Sequence, residues 1–172
     1  MFLLTTDTEL THKSDKKKEY AGYISGQVLR CPAMVITNPD NWFFGVYGFC
    51  RPEGDDTYDQ VKEDLGDYQY NSANRGGRNN DQFYLLGRMK QPSSTALCAD
   101  TVCEEGSANA GLSSWQWNPA TSPGDGVGVG AIHNGESNLG MADGHVESQN
   151  KGELEASPMK ISWVLDESGK RL

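Results

Sequence analysis

Apolar residues along this chain come in short runs separated by long polar stretches, a pattern that predicts brief strands joined by loops. Residues 1–27 are polar and weakly patterned, with Glu19 to Ile24 readable as a helix end or a short strand. Val28 to Pro32 reads as a strand entering a turn, because Pro32 biases Cys31 toward extended backbone. Asn38-Pro39-Asp40-Asn41 is a turn cluster. It precedes the densest aromatic run, Trp42 to Phe49, which favours β structure. Residues 51–81 are polar and charged and predict a surface excursion. In it, Asp59 to Leu65 has room for one or two helical turns, and Asn71 to Asp81 forms a loop. Order returns at Gln82 to Gly87. Thr95 to Asp100 then reads as a buried strand ending in a carboxylate. Residues 104–126 form a Gly/Ser/Pro-rich loop carrying Trp115 and Trp117. Val127 to His133 predicts a strand, Asn134-Gly135 a turn, and Asn138 to Ala142 a further strand. Asp143-Gly144 predicts a type I′ hairpin turn returning through His145 to Ser148. Lys160 to Leu165 predicts the last strand.

Composition supports one loop-rich domain. The chain has 172 residues, 36% of them hydrophobic, and 20 glycines, which suits an α+β, β-rich fold with a lean core. The net charge of -9 disfavours nucleic acid as a partner, since the surface repels phosphate. The one basic run, Lys16-Lys17-Lys18, reads as a solvated patch. Met1 to Leu4 is too short an apolar stretch for an export signal or a membrane span. Four cysteines occur without the Cys-x-x-Cys spacing of a zinc or redox motif. Two readings stand for Cys31, Cys50, Cys98 and Cys103: local disulfides pairing 31 with 50 and 98 with 103, or buried thiols.

The ordered segments carry a resemblance. Leu29-Arg30-Cys31-Pro32, Tyr47-Gly48, Gln91 to Asp100, Ile132 to Gly135 and Asn138 to Val146 occur in that order. His133 is followed after nine residues by Asp143-Gly144. This resembles the bacterial prepilin-like family, related to type II secretion pseudopilins, whose C-terminal signature is His, nine residues, then Asp-Gly. The match spans about residues 28–148, with long unmatched loops inside. Ala131-Ile132 stand where an Arg commonly precedes the His, and Cys50 stands where Asn is frequent. The family's N-terminal cleavage motif and apolar helix are not in the sequence.

The resemblance implies a pilin-like head, in which a long N-terminal helix packs on an antiparallel sheet. Here 1–27 would be a stub of that helix, with the helix largely missing, and 28–172 the globular head. It implies a structural subunit of a cell-envelope, type II secretion or type IV pilus-like assembly, and not an enzyme. It would be periplasmic, cell-surface or extracellular. Its partners would be other pilin-like subunits, and its membrane contact would run only through a helix absent from this chain.

Candidate chemistry centres on the signature. Asp143-Gly144 suits a turn, and His133 suits a strand end bonded to backbone or carboxylate. The sharper expectation is that Asp100, His133 and Asp143 converge, either as a hydrogen-bonded staple on the hairpin or as a divalent-metal site. Calcium is the first choice of cation, because the resemblance implies it and hard oxygen ligands abound. Asp55-Asp56-Thr57-Tyr58-Asp59 offers a second oxygen-rich loop, without the full EF-hand spacing. The sequence has no Gly-x-Ser-x-Gly elbow. The run Gly124 to Gly130 fits no phosphate-binding fingerprint and reads as a flexible loop entering a strand. Trp115 and Trp117 define the alternative function, a cell-surface module using the two long loops to bind glycan or peptide, with core burial as the competing role for both rings.

Overall fold

Short runs form the strands, and where a strand alternates, the alternation decides which face is buried. The computed structural model describes residues 47–51, 56–72, 81–122 and 126–172. The fold is mixed α and β, mostly sheet. β1 (Gly48–Cys50), β4 (Ala96–Ala99), β6 (Gln116–Trp117), β8 (Glu136–Met141) and β9 (Val146–Asn150) form a five-stranded sheet in the order β6-β1-β4-β8-β9. β5 (Thr101–Cys103), β7 (Val127–Gly130) and β10 (Val164–Leu165) form a second sheet in the order β10-β7-β5. β2 (Gln69–Ser72) and β3 (Asp81–Tyr84) make a two-stranded ribbon. The expected sheet is antiparallel. The observed sheets are mixed, since β1 pairs parallel with β6 and β10 pairs parallel with β7.

β8 shows the period-two pattern most clearly. Ser137, Leu139 and Met141 are buried, while Glu136 is exposed and Asn138 and Gly140 are half-buried. The core beneath it gathers Leu139, Met141, Ala96, Leu154, Met159 and Ile161. Several predicted strands shorten. Val127 to His133 stops at Gly130, and Lys160 to Leu165 keeps only Val164–Leu165. The glycine-rich run enters a strand as expected, with residues 124–125 outside the described residues. β7 is the central strand of its sheet and is buried throughout. A Cβ at Gly128 would collide with Trp163, and one at Gly130 with Val102, so the glycines permit close packing against the neighbours on both sides of β7.

The charged stretch after β1 is also more than an excursion. Helix α1 (Asp56–Leu65) ends at Gly66, whose φ of 96° stops the helix. It buries Val61 and Leu65, and Tyr68 follows them into the core at 1% exposure. Tyr68 lies 6.4 Å from the Tyr84 ring, measured between centroids. The Tyr84 hydroxyl donates to the Cys50 carbonyl, tying the β2–β3 ribbon to the main sheet, and burial pushes the phenol well above its usual range. The polar segment after β9 forms a second helix, α2 (Lys151–Ala156), opened by a full capping box. Asn150 accepts from the Glu153 N–H at 3.1 Å, and the Glu153 carboxylate accepts from the Asn150 N–H at 2.9 Å. The N-terminal stub, Cys31-Pro32, Trp42 to Phe44, Asp55 and Gly76-Gly77 lie outside the described residues.

Candidate functional site

Asp100 follows β4 directly and stays in the interior because its Oδ2 meets donors there. Its side chain is 0% exposed. Oδ2 accepts from the Asn138 N–H at 2.9 Å and lies 3.2 Å from His133 Nε2. The backbone repeats the link, with the Asp100 N–H donating to the Asn138 carbonyl at 3.1 Å. The Asp100 carbonyl in turn accepts from the Gly130 N–H at 2.9 Å, joining the second sheet. One carboxylate therefore sits where β4, β5, β7 and β8 meet.

His133 reaches it through a tight turn. His133 and Glu136 exchange both backbone hydrogen bonds, at 3.0 and 3.1 Å, around Asn134-Gly135. Both turn residues have positive φ, 56° and 85°. That is the type I′ signature, and it falls here rather than at Asp143-Gly144.

The Asp143-Gly144 turn is built differently. The Met141 N–H donates to the His145 carbonyl at 2.9 Å, and the Gly144 N–H to the Met141 carbonyl at 3.0 Å. Three residues, 142–144, span the loop, and Gly144 alone among them has positive φ, 98°. This matches a type I turn closed by a left-handed glycine. Asp143 serves its own turn. Its Oδ1 accepts from the His145 N–H at 3.2 Å and lies 2.6 Å from His145 Nδ1. The backbone and ring donors of His145 hold the Asp143 carboxyl below its usual range, and Asp143 pulls the His145 imidazole up.

The expected trio is therefore corrected to a pair. Asp100 and His133 meet at the start of β8, while Asp143 lies past its far end, about 20 Å along a six-residue strand. Among the described residues, no three His, Cys, Asp or Glu side chains converge on a metal position, so the Asp100/His133/Asp143 metal reading fails on geometry. In the acidic loop, Asp56 and Asp59 are placed in α1.

The tryptophan platform is corrected as well. Trp117 is 0% exposed, and its Nε1 donates to the Gly48 carbonyl at 3.1 Å. β6 inserts it beside β1, where a Gly48 Cβ would meet Trp117 and Thr101. Trp115 is half-buried, with the Arg51 guanidinium 5.5 Å from its ring centroid. No disulfide joins cysteines among the described residues. Cys98, the expected partner of Cys103, is a free thiol near the Gly140 carbonyl, raised in pKa by burial. The two cysteines lie on strands of different sheets, β4 and β5, on either side of Asp100. Cys103 is wholly buried, and the expected pairing of Cys31 with Cys50 involves a residue outside those described.

One feature escaped the pattern reading. The face shared by Leu139, Met141 and Met159 opens into a groove of about 270 Å³ whose walls include Glu147 and Glu153. Its sequence signal was the Asn150-x-x-Glu153 capping box, which marks α2 and hence the wall. Comparison with protein-family models, with curated proteins and with solved structures finds no match.

Proposed function

We propose that this chain is the head of an exported, pseudopilin-like structural subunit of a bacterial envelope assembly. The observation that carries the reading is the division of labour within the signature. His133 ties to the buried Asp100, Gly144 supplies the left-handed turn position, and Asp143 holds the turn's own N–H. Each signature residue thus shapes a turn at one end or the other of β8, as expected of a motif that serves assembly geometry rather than turnover. The mostly-sheet fold with a short capped helix on one face is compatible with a pilin-like head.

The test is photo-crosslinking in producing cells. A photoreactive residue is placed at Val146, which is 70% exposed at the sheet margin. The expected result is envelope fractionation and adducts with pilin-like subunits. Recovery of the protein as an adduct-free monomer in the cytosolic fraction overturns the reading.

A further inference from the structure

We infer that the groove beside β9 is a docking site for an extended peptide presenting a lysine side chain. The inference stands independently of the assembly reading above.

The groove has an apolar floor and an acidic wall. Leu139, Met141, Met159 and Ile161 form the floor, and Glu147 and Glu153 stand on the wall. Among the described residues, none that lines it is basic. Its volume, about 270 Å³, lies just below the roughly 300–1,000 Å³ range for drug-sized ligands. It therefore suits one long side chain. An apolar stem with a cationic tip matches both surfaces, since lysine lays its methylenes on apolar ground and keeps its ammonium among oxygens. The chain's charge of -9 favours a cationic partner at longer range.

The hydrogen bonding selects lysine over arginine. One Glu147 oxygen, Oε1, accepts from Gln149 Nε2 at 2.6 Å, while Oε2 stands 3.7 Å from His145 Nε2. One Glu153 oxygen, Oε2, accepts from the Asn150 N–H at 2.9 Å. Each carboxylate has therefore committed an oxygen to a protein donor. What remains are single-oxygen acceptors, which fit the rotatable donors of an ammonium better than the paired fork of a guanidinium.

The neighbouring edge supplies the backbone partner. β9 is the last strand of its sheet among the described residues. Asn138 spends its N–H and carbonyl on Asp100, so the Asn138–Ser148 pair is of the non-hydrogen-bonded kind. The main-chain groups of Ser148 therefore point to the outer edge, and Val146, two residues away, shares that orientation. A strand added there places alternate side chains beside Glu147 and Gln149, both of which line the groove.

The experiment titrates capped heptapeptides, Ala-Ala-Val-X-Val-Ala-Ala with X as lysine, norleucine or glutamate, into the full chain carrying 13C-methyl methionine. Met141→Leu and Met159→Leu assign the two reporter signals. The lysine peptide is expected to shift both methyls saturably, with the norleucine peptide at least about ten-fold weaker. Glu147→Gln, which keeps an acceptor for Gln149, is expected to weaken lysine-peptide binding by a similar factor while leaving the norleucine peptide unchanged. Unmoved methyls, equal binding of lysine and norleucine peptides, or an unaffected Glu147→Gln variant overturn the proposal. So does a dimer in sedimentation that covers both methionines, since a second copy is then the occupant.

Discussion

Asp100 Oδ2 lies 3.2 Å from His133 Nε2 while accepting the Asn138 N–H at 2.9 Å, so one buried oxygen holds both sides of the turn that starts β8. Removing it leaves a buried N–H without its acceptor and a ring without its anchor. Asp100→Ala is expected to lower stability by about 2–3 kcal/mol, and Asp100→Asn by less, because the amide oxygen still accepts from Asn138. His133→Ala is expected to cost about 1–3 kcal/mol by stripping a partner from a buried carboxylate. Urea unfolding of the two single variants and the double variant measures the coupling. Strict additivity would show that the pair does not act as a staple.

The β8–β9 turn predicts a pH response of opposite sign on its two partners. His145 is raised, so its contribution is whole below its ordinary value of 6.5 and fades as pH climbs through the higher folded value. Asp143 is lowered, so its contribution is whole above 3.8 and fades as pH drops through the lower folded value. The turn is therefore held best between those two ordinary values. An NMR titration is expected to place the His145 midpoint above 6.5, and Asp143→Asn to bring it down toward 6.5. An unchanged midpoint in that variant would remove the Asp143 contact as the cause.

Gly140 and Cys98 face each other across β4 and β8, and a Cβ at Gly140 would land on the Cys98 sulfur. Gly140→Ala is expected to destabilise by about 1–3 kcal/mol through overpacking. Cys98→Ala removes the obstructing atom, so the double variant is expected to recover most of that loss. Thermal unfolding of the three variants decides, and a double variant no more stable than Gly140→Ala alone refutes the contact.

The Cys98 thiol is raised by burial, which leaves little thiolate near neutrality. Its alkylation by iodoacetamide at pH 7 is expected to be several-fold slower than that of a short unfolded peptide carrying the same residues. Peptide mapping without reductant is expected to recover Cys98 unpaired. Its recovery in a disulfide with Cys103 would contradict the structure.

Trp117 anchors β6 against β1 through its ring and its 3.1 Å bond to Gly48. Trp117→Ala is expected to cost about 3–5 kcal/mol, and Trp117→Phe markedly less. Calorimetry measures both. A Trp117→Ala variant of unchanged stability would put the ring outside the core.

Much of the C-terminal half was legible along the chain because its signals are local. The run Asn138 to Ala142 marked β8, turn chemistry marked both 134–135 and 143–144, and the run into Asp100 marked a buried strand with a carboxylate end. Even so, the type I′ turn expected at 143–144 falls at 134–135. Loop length depends on strand register, which local sequence does not specify. The helix α2 is not legible from periodicity because six residues with one large apolar side chain, Leu154, show no hydrophobic period, although its capping box is there to read.

By itself, then, the sequence determined the strand-forming runs, the positions where left-handed backbone is tolerated, and the acidic, loop-rich character of the chain. Only the tertiary structure decided which carboxylate His133 meets. Asp100 lies 33 residues before it yet only 3.2 Å away, while Asp143, closer along the chain, lies beyond the other end of β8. The tertiary structure also placed Trp117 in the core and raised an acidic wall over Met141 and Met159. The reason is physical. Backbone propensity acts over a few residues, whereas the partners of a buried charge are chosen by strand order and sheet packing across the whole chain.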